Sequence, residues 1–128
     1  MKKIAIGVAL LAVLAAGVGI TIAQEKISIE TMPPVVIKTY PISGTLDVDP
    51  NIKQIRVSFS KEMTDKSWSW CNISEDTTPK SAGDIFYEKD KRTCVCPVQL
   101  EPGRDYVVWL NTNKFVNFKD KNGRSAVP

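Results

Sequence analysis

The chain has 128 residues, with 17 Lys and Arg against 14 Asp and Glu and no histidine. Without an imidazole, Ser-His-Asp and Cys-His nucleophilic catalysis and histidine general-base chemistry are excluded by inventory. A net charge of +3 with no clustered run of Lys or Arg gives no electrostatic footprint for nucleic acid.

Met1-Lys2-Lys3 makes a positive start, and residues 4–22 are uncharged and rich in Ala, Val, Leu, Ile and Gly. Thr21-Ile22-Ala23 supplies small residues at the end of the run. Residues 1–23 therefore read as a Sec-type export signal removed after Ala23. The run also reaches the roughly 20 apolar residues that cross a bilayer, so it could instead stay as an N-terminal anchor, the chain's one expected membrane contact. Removal leaves 15 basic and 14 acidic residues, a net charge of +1, in a secreted, periplasmic or envelope-bound chain of 105 residues. That length suits one domain with one core.

Residues 24–33 read as a flexible leader, and the domain is expected over residues 34–128, starting at the Pro33-Pro34 step. Residues 35–39 suggest an edge-type strand, followed by a turn through Pro41 and Gly44. The clearest element is IKQIRVSFSKEM, residues 52–63. Ile55, Val57 and Phe59 alternate with Arg56, Ser58 and Ser60, the period of a sheet with one buried and one wet face. Further strands are expected over residues 67–73, 84–88, 93–100, 105–110 and 114–119, with residues 74–83 as loop. Pro97 lies within the third of these and predicts an edge strand or a bulge there. No helical stripe follows residue 23. Six or seven short strands with turns every 8–12 residues predict an all-β, immunoglobulin-like antiparallel β-sandwich. Its last strand is either supplied by residues 115–118 or missing, and a missing strand would expose a sheet edge.

Several of these pieces, in their order, resemble a known family. They are Pro41-Ile42-Ser43-Gly44-Thr45 with Val48-Asp49, the run from Ile55 to Met63, Leu100-Glu101-Pro102-Gly103 with Tyr106, and Asp120 with Gly123. From Pro34 to Val127 the chain resembles the bacterial immunoglobulin-like domains of surface-layer proteins. The resemblance implies a sandwich with a structural, spacer or adhesion role on exported proteins, and it carries no catalytic residues. The Cys71, Cys94 and Cys96 set and the Trp68 and Trp70 pair depart from the family pattern.

Those departures are the candidate sites. Cys71 bridged to Cys94 or Cys96 would tie two strands together, while three buried free thiols would act as small apolar residues. A CxC zinc site lacks further Cys or His ligands. Trp68 and Trp70 share one strand face: turned outward they make an aromatic platform for sugar rings or an apolar partner, turned inward they are core. Cys71 takes the opposite face, so a buried bridge from Cys71 and an inward Trp pair exclude one another. Asp47 and Asp49 read as solvated turn formers, or with Asp120 as ligands of a calcium ion. Tyr106, after the Pro-Gly turn, reads as a corner tyrosine bonded to backbone. No cofactor is expected. The sequence thus points to a non-catalytic module binding a protein or glycan at the cell envelope. Its alternative is an inhibitor or accessory domain of an exported hydrolase, with contacts on the turns at residues 49–51, 111–113 and 120–123.

Overall fold

The computed structural model describes residue 19 and residues 26–128. The expected export signal, residues 1–23, lies outside the described residues apart from Gly19. Among the described residues no helix is long and apolar enough to cross a membrane.

The body is all-β. Its strands are β1 (Val36–Tyr40), β2 (Gln54–Phe59), β3 (Trp70–Asn72), β4 (Lys80–Ser81), β5 (Phe86–Tyr87), β6 (Thr93–Gln99) and β7 (Val108–Leu110). One 3-10 turn, Glu75–Thr77, interrupts them. All pairings are antiparallel. In the larger sheet β1 pairs β2 and β2 pairs β6, and the other edge of β6 is shared by β5 and β4. The second sheet is β3 paired with β7. These are the two layers of a sandwich whose inner faces meet in one core.

The alternation in β2 builds that core. Val57 and Phe59 are buried, Ile55 is half-buried, and Cys94 and Cys96 of β6 stand opposite Val57 and Ile55. Phe118 stacks on Phe59 at 5.1 Å and meets Trp70 of the second sheet edge-on at 5.5 Å. Met63 and Ala126 complete the buried cluster, and Trp68, Ile85, Tyr87 and Leu110 pack at its margin. Each aromatic pair adds about 0.5–1.5 kcal/mol beyond the area it buries.

Three expectations change. Pro97 lies in a central strand, paired on both sides without a break in register on the β2 side. Its carbonyl accepts the Ala82 N–H, so its missing N–H would point at that same edge. There the chain has left β4 and not yet begun β5. Gly83 crosses this gap so closely that a Cβ on it would lie 3.3 Å from the proline ring. The proline costs no ladder bond because the neighbouring strand is interrupted at its position.

Residues 80–81, read as loop, form β4, while residues 114–119 form no strand. Phe115 and Val116 are exposed. Closure comes instead from a turn beyond Phe118: Lys119 bridges Ser125, and the Ala126 N–H reaches the Phe118 carbonyl at 2.8 Å. Asn111 holds this turn. It is fully buried, with φ at 66°. Its Oδ1 accepts the Phe118 N–H at 2.9 Å, and its Nδ2 donates to the carbonyls of Phe118 and Ala126 at 3.0 and 2.9 Å. One side-chain amide thus supplies backbone-like bonds where no strand is present.

Where the sequence reads as flexible leader, residues 28–32 form a hydrogen-bonded turn. The Thr31 and Met32 N–H groups reach the Ser28 carbonyl. Lys61 Nζ donates to the carbonyls of Glu30 and Met32, both at 3.1 Å, and Arg124 donates to the Glu30 carbonyl at 2.9 Å. The same ammonium lies 2.9 Å from Asp120 Oδ2. Lys61 and Asp120 are both buried, so this ion pair joins the start of the domain to its last turn inside the protein.

Candidate functional site

Because Val57 and Phe59 turn inward, Arg56 and Ser58 stand on the outer face of the larger sheet. Pairing carries that face across four strands. One row runs Tyr40, Arg56, Val95, Phe86 through direct cross-strand partners. The next runs Lys38, Ser58, Thr93, with Glu88 beside Thr93, whose carbonyl its N–H reaches at 2.8 Å. Tyr40 and Phe86 are 40% and 48% exposed at the ends of the first row, while Val95 between them is 1% exposed. Between the two rows lies a shallow groove of about 170 Å³.

Arg56 is the centre of this face. Its guanidinium lies 4.7 Å from the centroid of the Tyr40 ring, a cation–π contact that holds it in place. Its Nη1 is 3.8 Å from Glu88 Oε1, an ion pair too long to be a hydrogen bond. The chain's other arginines donate to protein oxygens: Arg92 to the Ser60 carbonyl, Arg104 to those of Asp76 and Glu75, Arg124 to that of Glu30. Arg56 donates no hydrogen bond to the described residues.

The second row is directed. Thr93 Oγ1 donates to Asp90 Oδ2 at 2.8 Å, which uses its one proton. The 2.9 Å contact between Ser58 Oγ and Thr93 Oγ1 must then be donated by Ser58, leaving the serine lone pairs as acceptors in the groove. Burial pushes the Asp90 carboxyl up, but the backbone N–H of Arg92, the Thr93 hydroxyl and the Thr93 N–H together hold it below its usual value.

The tryptophans lie elsewhere. Trp70 pairs with Leu110 and packs on Phe118, and Trp68 packs on Tyr87 at 6.1 Å. Both stand on the core side, so the pair offers no exposed platform. The Tyr87 hydroxyl donates to the Ser67 carbonyl at 3.0 Å, and burial pushes its pKa well above the ordinary tyrosine value.

Cys71 consequently points outward, beside Trp109, while Cys94 is in the core on the other sheet. All three cysteines are free thiols, so of the two alternatives the bridge from Cys71 is not formed. Burial pushes the Cys94 thiol up to about 12, and the nearby Trp70 indole N–H, which faces the sulfur without making a hydrogen bond, only partly offsets this. Burial also raises Cys96. Since the thiolate is the nucleophile, iodoacetamide should label Cys71 of the folded protein well before Cys94, and all three in denaturant. Peptide mass mapping reads the order; equal labelling of Cys71 and Cys94 would contradict this placement.

The three aspartates do not converge. Asp47 and Asp49 are exposed ahead of β2, where Asp49 Oδ1 accepts the Asn51 N–H at 2.8 Å. Asp120 is buried past the other end of β2, bridged to Met63 and committed to Lys61. Among the described residues no cluster of His, Cys, Asp and Glu could hold a metal ion. The turns expected to gather at one end separate likewise: residues 49–51 lie before β2, and residues 120–123 lie beyond it. Tyr106 meets its expectation, its hydroxyl oxygen accepting the Glu101 N–H at 2.8 Å.

The residues on the outer face were not picked out by motif. The alternation of Arg56 and Ser58 placed them on a wet face, but only strand pairing brings Lys38 and Tyr40 beside them. Comparison with protein families finds a match, over residues 30–127, to the model described as a bacterial Ig-like domain. The match begins at Glu30, whose carbonyl Lys61 and Arg124 both hold. No curated protein and no solved structure matches the chain.

Proposed function

From the fact that the chain belongs to the bacterial Ig-like domain family, we propose that it works as an exported, non-catalytic module of the cell envelope, with a binding or adhesion role of the kind such domains have in surface-layer proteins. One observation carries the reading. Polar groups with bonding capacity left over, the Arg56 guanidinium, the Lys38 ammonium, the Ser58 lone pairs and the Tyr40 hydroxyl, lie on one open sheet face. Among the described residues no nucleophile is poised beside a base in a cleft, the arrangement that covalent hydrolysis uses. Export rests on the sequence of residues 1–23.

Cell fractionation with intact-mass analysis tests the reading. The expected product is found in the envelope or the medium, lacks the mass of residues 1–23, and takes up three alkyl groups in denaturant without reductant. Full-length protein confined to the cytosol would overturn export. Hydrolysis of glycosidic or peptide substrates by the purified protein, lost on substitution of a residue in this chain, would overturn the non-catalytic assignment.

A further inference from the structure

We infer that the outer face of the larger sheet is a binding site for a carboxylate-bearing glycan, with Arg56 as the residue that recognises the carboxylate. The inference deepens the binding role proposed above and rests on it.

Arg56 carries the argument. A guanidinium presents five N–H donors in a rigid fork that matches a carboxylate. Here the fork is pinned on Tyr40, its side chain is 37% exposed, and it donates no hydrogen bond to the described residues. Holding it in place before a ligand arrives removes part of the ordering cost of binding. Glu88 shows what the fork accepts: its carboxylate stands 3.8 Å away, drawn to the charge but short of hydrogen-bond contact. A ligand carboxylate free to approach within 3 Å or so would form the two-pronged contact that Glu88 does not. Lys38, on the adjoining row, adds a second positive charge with no partner among the described residues.

The rest of the face selects the ligand's class. Tyr40 and Phe86 expose ring surface on either side of Arg56, three strand spacings or about 14 Å apart. Apolar ring faces flanking hydroxyls suit the C–H faces of sugar rings, and the Ser58 lone pairs offer an acceptor for a sugar hydroxyl. A peptide adding a strand would seek main-chain partners at a sheet edge. This is a sheet face, where only side chains are on offer. An acidic oligosaccharide lying across the strands satisfies the charge, the rings and the hydroxyl acceptor together.

The test uses the purified exported protein. Oligogalacturonate serves as the carboxylated glycan, dextran as the neutral one, and polyglutamate as a carboxylated peptide, each titrated by calorimetry. Oligogalacturonate should bind saturably and dextran should not. Arg56→Ala should weaken binding about tenfold or more, and Arg56→Lys should recover little, because the fork and not the charge alone is needed. Glu88→Gln should strengthen binding by removing the competing carboxylate. Thermal unfolding of each variant checks that it is folded; should Arg56→Ala not fold, Arg56→Lys and Glu88→Gln carry the test. Three results would overturn the inference: no binding of oligogalacturonate, polyglutamate bound as tightly as the glycan, or affinity unmoved in the Arg56 variants. None of these would touch export or the absence of turnover, which the fractionation and hydrolysis experiments read separately.

Discussion

Replacing Asn111 by Ala should lower stability by about 3–8 kcal/mol, a large part of the 5–15 kcal/mol that holds a domain of this size. Two costs add. The Phe118 N–H and the Ala126 carbonyl lose their partner inside the protein, at about 1–3 kcal/mol each. Alanine must also adopt the left-handed backbone that Asn111 holds at φ 66°, for about 1–2 kcal/mol more. The Phe118 carbonyl keeps the Ala126 N–H and is not orphaned. Asn111→Gly separates the two costs, since glycine accepts the backbone and loses only the amide. It should recover about 1 kcal/mol of the loss in a urea titration. A loss under about 1 kcal/mol for Asn111→Ala would mean that water reaches these groups and that the amide does not hold the last turn.

Breaking the buried pair from one side comes next. Lys61→Met leaves the Asp120 carboxylate in the interior without its counter-ion, and should cost about 3–5 kcal/mol. It also removes the donor to the carbonyls of Glu30 and Met32, so amide exchange at residues 28–32 should rise before the body unfolds. Lys61→Met with Asp120→Asn should cost less than the two changes summed, because no uncompensated charge remains. The pH dependence has a definite sign. Burial pushes the Asp120 carboxyl up, yet the Lys61 ammonium and the backbone N–H groups of Arg124 and Asn122 together hold it below its ordinary 3.8. A carboxyl depressed in the folded state contributes stability in full above its unfolded value and loses it as pH falls through the folded one. Stability should therefore fall below about pH 4, and less steeply in Asp120→Asn. Identical acid profiles for the two proteins would remove Asp120 from the account.

The larger sheet was legible for a simple reason. In β2 one face is core and the other is wet, so Ile55, Val57 and Phe59 stand out against Arg56 and Ser58. In β6 the outward-facing Thr93 and Val95 are buried at 7% and 1%, alongside the inward-facing Cys94 at 0%, and the alternation fades. Pro97 misled because its cost depends on where the neighbouring strand breaks, and that break lies between residues 81 and 86. Trp68 and Trp70 announced a shared face but not which one; Phe118, nearly fifty residues later, decides it. Asn111 read as an ordinary turn residue, since its burial depends on the chain returning at residues 118–126. The outer-face groove is hidden for the same reason. Tyr40 and Arg56 are cross-strand partners only through a register that includes an irregularity between Val36 and Lys38. Side-chain types survive in the sequence; which of them face one another is a property of pairing.

The most direct measurement is a two-dimensional NMR titration of the labelled domain with oligogalacturonate. If the outer face of the larger sheet is the working surface, the largest shifts fall on Lys38, Tyr40, Arg56 and Thr93, with the Arg56 guanidinium N–H signals moving most. Shifts concentrated on Cys71 and Trp109 of the opposite sheet, or on the turns at residues 49–51 and 120–123, would contradict it.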